Sequence, residues 1–171
     1  MSLLILPGAV SLSAFRTDRL LQRLRLLVPQ LRAVASRDFY LVDAEGVANA
    51  QLRQLLGEGP ETFETAALSC FVVPRLGTVS PWSSKATDIA RVCGLTGVRR
   101  IELGRAYFFT GIDALPEAAL EALHDPMTES VLSEPAQLQH VFDAQPRRGL
   151  RTVDVLGGGR EALVAANRDW G

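Results

Sequence analysis

A chain of 171 residues with 47% hydrophobic and 22% charged side chains is long enough for one domain with its own core, short for two, and too apolar to be disordered. Its 18 basic and 19 acidic residues leave a formal charge of −1, which excludes the positive field that a general nucleic-acid binder needs. Two cysteines, Cys70 and Cys93, each in or beside an apolar segment, exclude a secreted disulfide scaffold and fit a reducing, cytoplasmic setting.

The apolar amino end has no basic leader, and Pro7-Gly8 interrupts it far short of a membrane span, so Leu3 to Leu6 reads as a first strand. Ser13 is placed to cap a helix running to about Val28, with Leu20, Leu21, Leu24, Leu27 and Leu31 as its apolar stripe among solvated arginines. Phe39 to Val42 reads as a short strand, Ala48 to Leu56 as a helix, and Leu68 to Val73 as a buried strand. From Ser84 to Cys93 the apolar positions Ala86, Ile89, Ala90 and Cys93 predict a helix with one buried face, stopped by Gly94. Val98 to Leu103 and Ala106 to Thr110 suggest two strands joined across Gly104-Arg105, as a hairpin or one bulged strand. Pro116 to about Leu132 is helical in pattern, kinked at Pro126. Glu134 to Arg148 reads as a connecting segment, and Arg151 to Leu156 as a further element preceding Arg160 onward. Strands and helices thus alternate through two portions, residues 1–65 and 66–145, in an α+β or α/β class with helices on a mixed or antiparallel sheet.

Most candidate chemistry is generic. Leu156 to Ala162 satisfies GxGxxA after a predicted strand, but the sequence ends before the second strand and the acidic residue of a dinucleotide fold could be seen, and a glycine-rich entry into a helix is far commoner. His124 and His140 lack metal-ligand spacing, and the pairs Glu58/Glu61 and Asp125/Glu129 read as surface charge. No catalytic residue and no metal site is expected in this chain.

Pro74 to Gly94 is different. Thr78, Ser80, Ser83 and Ser84 place hydroxyls before and at a helix start, Lys85 adds positive charge, and Arg75 can reach back from the strand end. Free N–H groups and the helix dipole there favour an anion. The same residues also suit a plain capped helix, with Pro81 stiffening the turn and Trp82 filling a hollow. The residues alone leave both readings open.

This stretch, with Thr78, Ser80 through Ile89 and Cys93-Gly94-Leu95, resembles the long motif in the amino-terminal domain of the large single-chain formylglycinamide ribonucleotide amidotransferases, also called phosphoribosylformylglycinamidine synthases. Ser13 to Arg16, Val98-x-Arg100-x-Glu102-x-Gly104 with Ala106-Tyr107, Leu123-His124-Asp125-x-Met127-Thr128-Glu129, and Val153-Asp154-x-Leu156-Gly157-x-Gly159 extend the resemblance over nearly all of the chain. Leu76 and Pro126 depart from it, standing where a proline and an arginine are common.

The resemblance implies an α+β, PurS-like fold of two similar halves over residues 1–145, with residues 146–171 beginning a linker domain and the whole being a piece of a longer enzyme. That enzyme converts formylglycinamide ribonucleotide to formylglycinamidine ribonucleotide in purine biosynthesis. It uses ATP and Mg²⁺ in a synthetase domain and ammonia released from glutamine in a glutaminase domain. The present domain is expected to be inactive alone and cytoplasmic. Its expected role is to dock on those two domains and help complete the nucleotide-substrate site, with no nucleic-acid or membrane partner. Arg75, Thr78, Ser80, Trp82, Ser83, Ser84 and Lys85 are the residues expected to touch substrate or a neighbouring domain. A free-standing regulatory domain binding a phosphorylated metabolite is the rival expectation.

Overall fold

Residues 3–57, 59, 68–143 and 149–170 are described in a computed structural model of the chain. Among them, β1 (Leu3–Val10), α1 (Ala14–Arg25), β2 (Ala33–Ala44) and α2 (Asn49–Leu56) are followed by β3 (Leu68–Pro74), α3 (Pro81–Val92), β4 (Val98–Thr110) and α4 (Glu117–Glu121). The two sets share one β-α-β-α order. β5 (Glu129–Leu132), a 3₁₀ helix (Pro135–Phe142) and α5 (Val155–Trp170) complete the order. The strands form one sheet, β1-β2-β4-β3-β5, in which each neighbouring pair is antiparallel. The fold is therefore α+β, with β2 and β4 joining the halves at its centre.

Alternation along the strands sends side chains to two faces. On one face, Leu24 and Val28 (the latter just past α1) and Ala119 of α4 pack with Val34, Cys70, Val72, Tyr107 and Phe109. On the same face, Leu52 of α2 and Ala90 of α3 pack with Leu6, Val42, Ala44, Val98 and Ile101. The opposite face buries Phe39, Leu41, Phe71, Val73, Ala106 and Phe108 under Leu138 and Val141 of the 3₁₀ helix.

Several expectations change. The residues around Gly104-Arg105 form neither hairpin nor bulge, because β4 runs unbroken from Val98 to Thr110. Gly104 is there for space: it opposes Phe39, and a Cβ on it would lie 2.4 Å from the Phe39 ring.

The helix expected over Pro116 to Leu132 is realised only in α4. Pro126 cannot donate a helical bond, and Asp125 turns the chain by accepting from the Met127 N–H at 2.9 Å and the Thr128 hydroxyl at 3.1 Å. Glu129 to Leu132 is then free to pair with β3. The connecting segment holds the 3₁₀ helix, closed by a capping box between Glu134 and Gln137.

No strand forms over Arg151 to Leu156; Asp154 instead accepts from the Gly157 N–H at 2.8 Å at the start of α5. The glycine run therefore follows no strand, which removes the dinucleotide-fold reading. The pair Glu58/Glu61 and the expected boundary at 145–146 lie on or beside residues outside those described.

Candidate functional site

Ser80 organises the site. Its Oγ accepts from the Ser83 N–H at 3.0 Å, capping α3, with Pro81 in the first turn where its missing N–H costs nothing. The same hydroxyl donates to Glu102 Oε2 at 2.6 Å, and the Ser80 N–H donates to Glu102 Oε1 at 3.1 Å. Glu102 is fully buried in β4. A buried carboxylate needs a charged partner, and Arg100 supplies it at 2.6 Å. Arg100 also donates to the Thr78 carbonyl at 2.6 Å and lies over the Phe142 ring. The anion that the serines and the helix start attract is thus, at Ser80, a carboxylate of the chain itself. The helix is capped as the capped-helix reading expects, and the capping hydroxyl is itself bonded to a carboxylate of the chain.

The remaining expected residues diverge from this anchor. Thr78 donates to the Arg75 carbonyl at 2.6 Å, and Arg75 donates through its main chain to Thr128 and through its side chain to the Met127 carbonyl. Ser83 is buried, and its hydroxyl has no hydrogen-bond partner among the described residues. Ser84 and Lys85 are exposed. Trp82 is 38% exposed and stacks on Tyr40 with ring centres 6.0 Å apart. Burial, then Asp38, raise the Tyr40 pKa, so this phenol stays neutral.

The buried face of α3 differs from the expected one. Ser83, Thr87 and Ala90 face inward, while Ile89 and Cys93 are exposed. Thr87 fits because its hydroxyl accepts the Ile101 N–H of β4 at 3.0 Å, which satisfies a strand donor that no neighbouring strand takes up. Gly94, at φ +86°, ends the helix as expected. Ile89 helps line a groove of about 240 Å³ between α2 and α3, together with Tyr40, Leu55, Leu56, Trp82 and Lys85.

A larger trough of about 450 Å³ lies on the helix-bearing face of the sheet, and Trp82 borders both cavities. Three separate stretches meet in the trough: Arg75 to Trp82, Leu103 to Arg105, and Met127 to Glu129, together with Asp38. Arg105 donates to the Ser11 hydroxyl and approaches Asp38 at 3.6 Å and the Tyr107 hydroxyl at 3.5 Å. Burial opposes its charge, but Tyr107, Asp38 and Glu129 outweigh that and raise its pKa.

The structure therefore brings Arg75, Thr78, Ser80 and Trp82 to the trough and leaves Ser83, Ser84 and Lys85 outside it. Asp38, Glu102 and Arg105 were not expected as site residues. Only the Arg100-x-Glu102 and Gly104-Arg105 spacing pointed to the last two.

Among the described residues, no helix is long and apolar enough to cross a membrane, and no group of three or more His, Cys, Asp or Glu side chains is placed to hold a metal ion. A family model described as formylglycinamide ribonucleotide amidotransferase N-terminal matches residues 38–142, more than half of the chain and every strand except β1 and the first residues of β2.

Proposed function

This chain belongs to the formylglycinamide ribonucleotide amidotransferase N-terminal family, and on that premise we propose that it is the assembly and site-completing domain of a phosphoribosylformylglycinamidine synthase. The enzyme would convert formylglycinamide ribonucleotide to formylglycinamidine ribonucleotide with ATP and glutamine. Its synthetase and glutaminase domains would be partners in the same chain, working in the cytoplasm. In this proposal ATP and Mg²⁺ are held by the synthetase domain.

One observation carries the docking role. The family's most distinctive stretch is anchored inward through Ser80 to a buried carboxylate, while outward it shows Trp82, Ser84, Lys85 and Ile89. An exposed tryptophan beside an apolar groove, with a lysine at the rim, has the composition of an interface anchor. Arg75, Thr78 and Ser80 would shape the trough side of that contact, and Ser83 would pack beneath it. A buried, hydrogen-bonded cap fixes these outward side chains before docking, which lowers the ordering cost of association.

The test is to express the remaining domains as a separate polypeptide and measure glutamine-dependent ligase activity with and without this chain. Activity that appears only on adding it supports the role. Full activity in its absence would contradict it.

A further inference from the structure

The two halves of the chain differ at one matching point. α1 and α3 are both 12 residues long and each opens on a serine cap, so Ser13 corresponds to Ser80. The same displacement along the chain carries Ala35 of β2 onto Glu102 of β4. Each lies just past the end of a ladder, since β1 leaves β2 at Val10↔Arg37 and β3 leaves β4 at Val72↔Arg105. The two also share a face: Ala35 opposes Phe108 and Glu102 opposes Leu41, and Phe108 and Leu41 belong to one core cluster. In the second half a carboxylate fills this point and accepts from the Ser80 N–H and hydroxyl. In the first half there is a methyl group, and beside it a pocket of about 400 Å³.

The donors of that pocket are unspent. Ser13 accepts from the Arg16 N–H at 3.5 Å, and among the described residues neither its own N–H nor its hydroxyl proton has an acceptor. Ser36 lines the pocket and is only 7% exposed, and its hydroxyl has no hydrogen-bond partner among the described residues. A buried hydroxyl left so is costly until an acceptor reaches it. Arg37, which also lines the pocket and donates to the Gly8 carbonyl at 3.4 Å, brings positive charge, and the dipole of α1 adds to it. Val10, Leu12, Val34 and Phe108 make the rest of the wall apolar. Asp18, exposed on the second turn of α1, borders the pocket and opposes a second negative charge. A single carboxylate on an apolar body therefore fits, and a phosphate dianion does not.

We infer that the pocket between the start of α1 and the end of the β1–β2 ladder binds the carboxylate of a small apolar acid, in the place that Glu102 fills in the second half. Ser13 and Ser36 donate to it, and Arg37 balances its charge. The inference rests on the match between the halves and does not depend on the docking role.

The test uses the 171-residue chain, labelled with ¹⁵N and titrated separately with butyrate, butyramide and inorganic phosphate. Saturable shifts of the Ala14, Ser36 and Arg37 amides are expected with butyrate, and none with the other two. Arg37→Gln and Ser36→Ala should each weaken butyrate binding about tenfold. Ser36→Ala removes a hydroxyl that bonds nothing in the described chain, so it keeps the fold if Arg37→Gln does not. Ala35→Glu supplies the missing carboxylate from within and should abolish the response. Acetyl-Val-Leu, charged only at its terminal carboxylate, separates two sources of the group: tighter binding than butyrate assigns the pocket to a peptide end, weaker binding to a free acid. Equal shifts with butyramide, shifts with phosphate alone, or silence with every probe would overturn the inference, as would butyrate binding unchanged in Ser36→Ala and Ala35→Glu.

Discussion

The Ser80 hydroxyl and the Glu102 carboxylate, 22 residues apart in sequence, meet at 2.6 Å in a bond that ties the start of α3 to the centre of the sheet. Removing the carboxylate strands the Arg100 guanidinium and frees both Ser80 donors. Glu102→Ala should therefore destabilise the chain by about 3 kcal/mol in urea unfolding. Ser80→Ala should cost about 1 to 2 kcal/mol through the lost cap. Because the two side chains touch, the double variant should lose less than the sum, with a coupling of at least about 0.5 kcal/mol. Strict additivity would show that the bond does not form in solution.

Gly104 is a packing residue. Gly104→Ala should cost about 1 to 3 kcal/mol by driving a methyl group into the Phe39 ring. Pairing it with Phe39→Leu should recover part of that loss. A neutral Gly104→Ala in thermal unfolding would contradict the register between β2 and β4.

The two cysteines should behave differently. Cys93 is exposed and should react with a thiol reagent in the folded chain, whereas Cys70 is buried and should react only on unfolding. Burial also pushes the Cys70 thiol up to about 12, from an ordinary value of 9.0. A raised folded pKa means that the folded state holds its proton where the unfolded state has lost it. The thiol's contribution is therefore fully present below pH 9 and is lost as pH rises toward about 12. Denaturant titrations between pH 8 and 10.5 should show stability falling with pH, less steeply in Cys70→Ala. Equal slopes in the two proteins would contradict this burial.

What the sequence shows of this fold follows the range of the forces involved. β3 and the end of α3 are visible because an apolar run and Gly94 are local signals. The inward face of α3 is hidden because Ser83 and Thr87 are polar by type, and only contact with the Ile101 N–H makes Thr87 a core residue. β5 is hidden for the same reason: Glu129 to Leu132 becomes a strand only through pairing with β3, while its local pattern is helical. At the site, the Ser80 cap is legible from Ser-Pro at a helix start. Its partner Glu102 is not, since nothing local to either residue connects them. The charges of the trough come from β2, β4 and β5 and from Arg75 just past β3, and sheet order brings them together.

The docking role is tested most directly by the affinity of this chain for the remainder of the amidotransferase, supplied as a separate polypeptide and measured by calorimetry. Trp82→Ala and Lys85→Glu should each weaken that affinity at least about tenfold with the chain still folded. Arg23→Gln, on the exposed side of α1, should leave it unchanged. Absence of association, or association indifferent to Trp82 and Lys85, would contradict the claim that Pro74 to Gly94 is the docking surface.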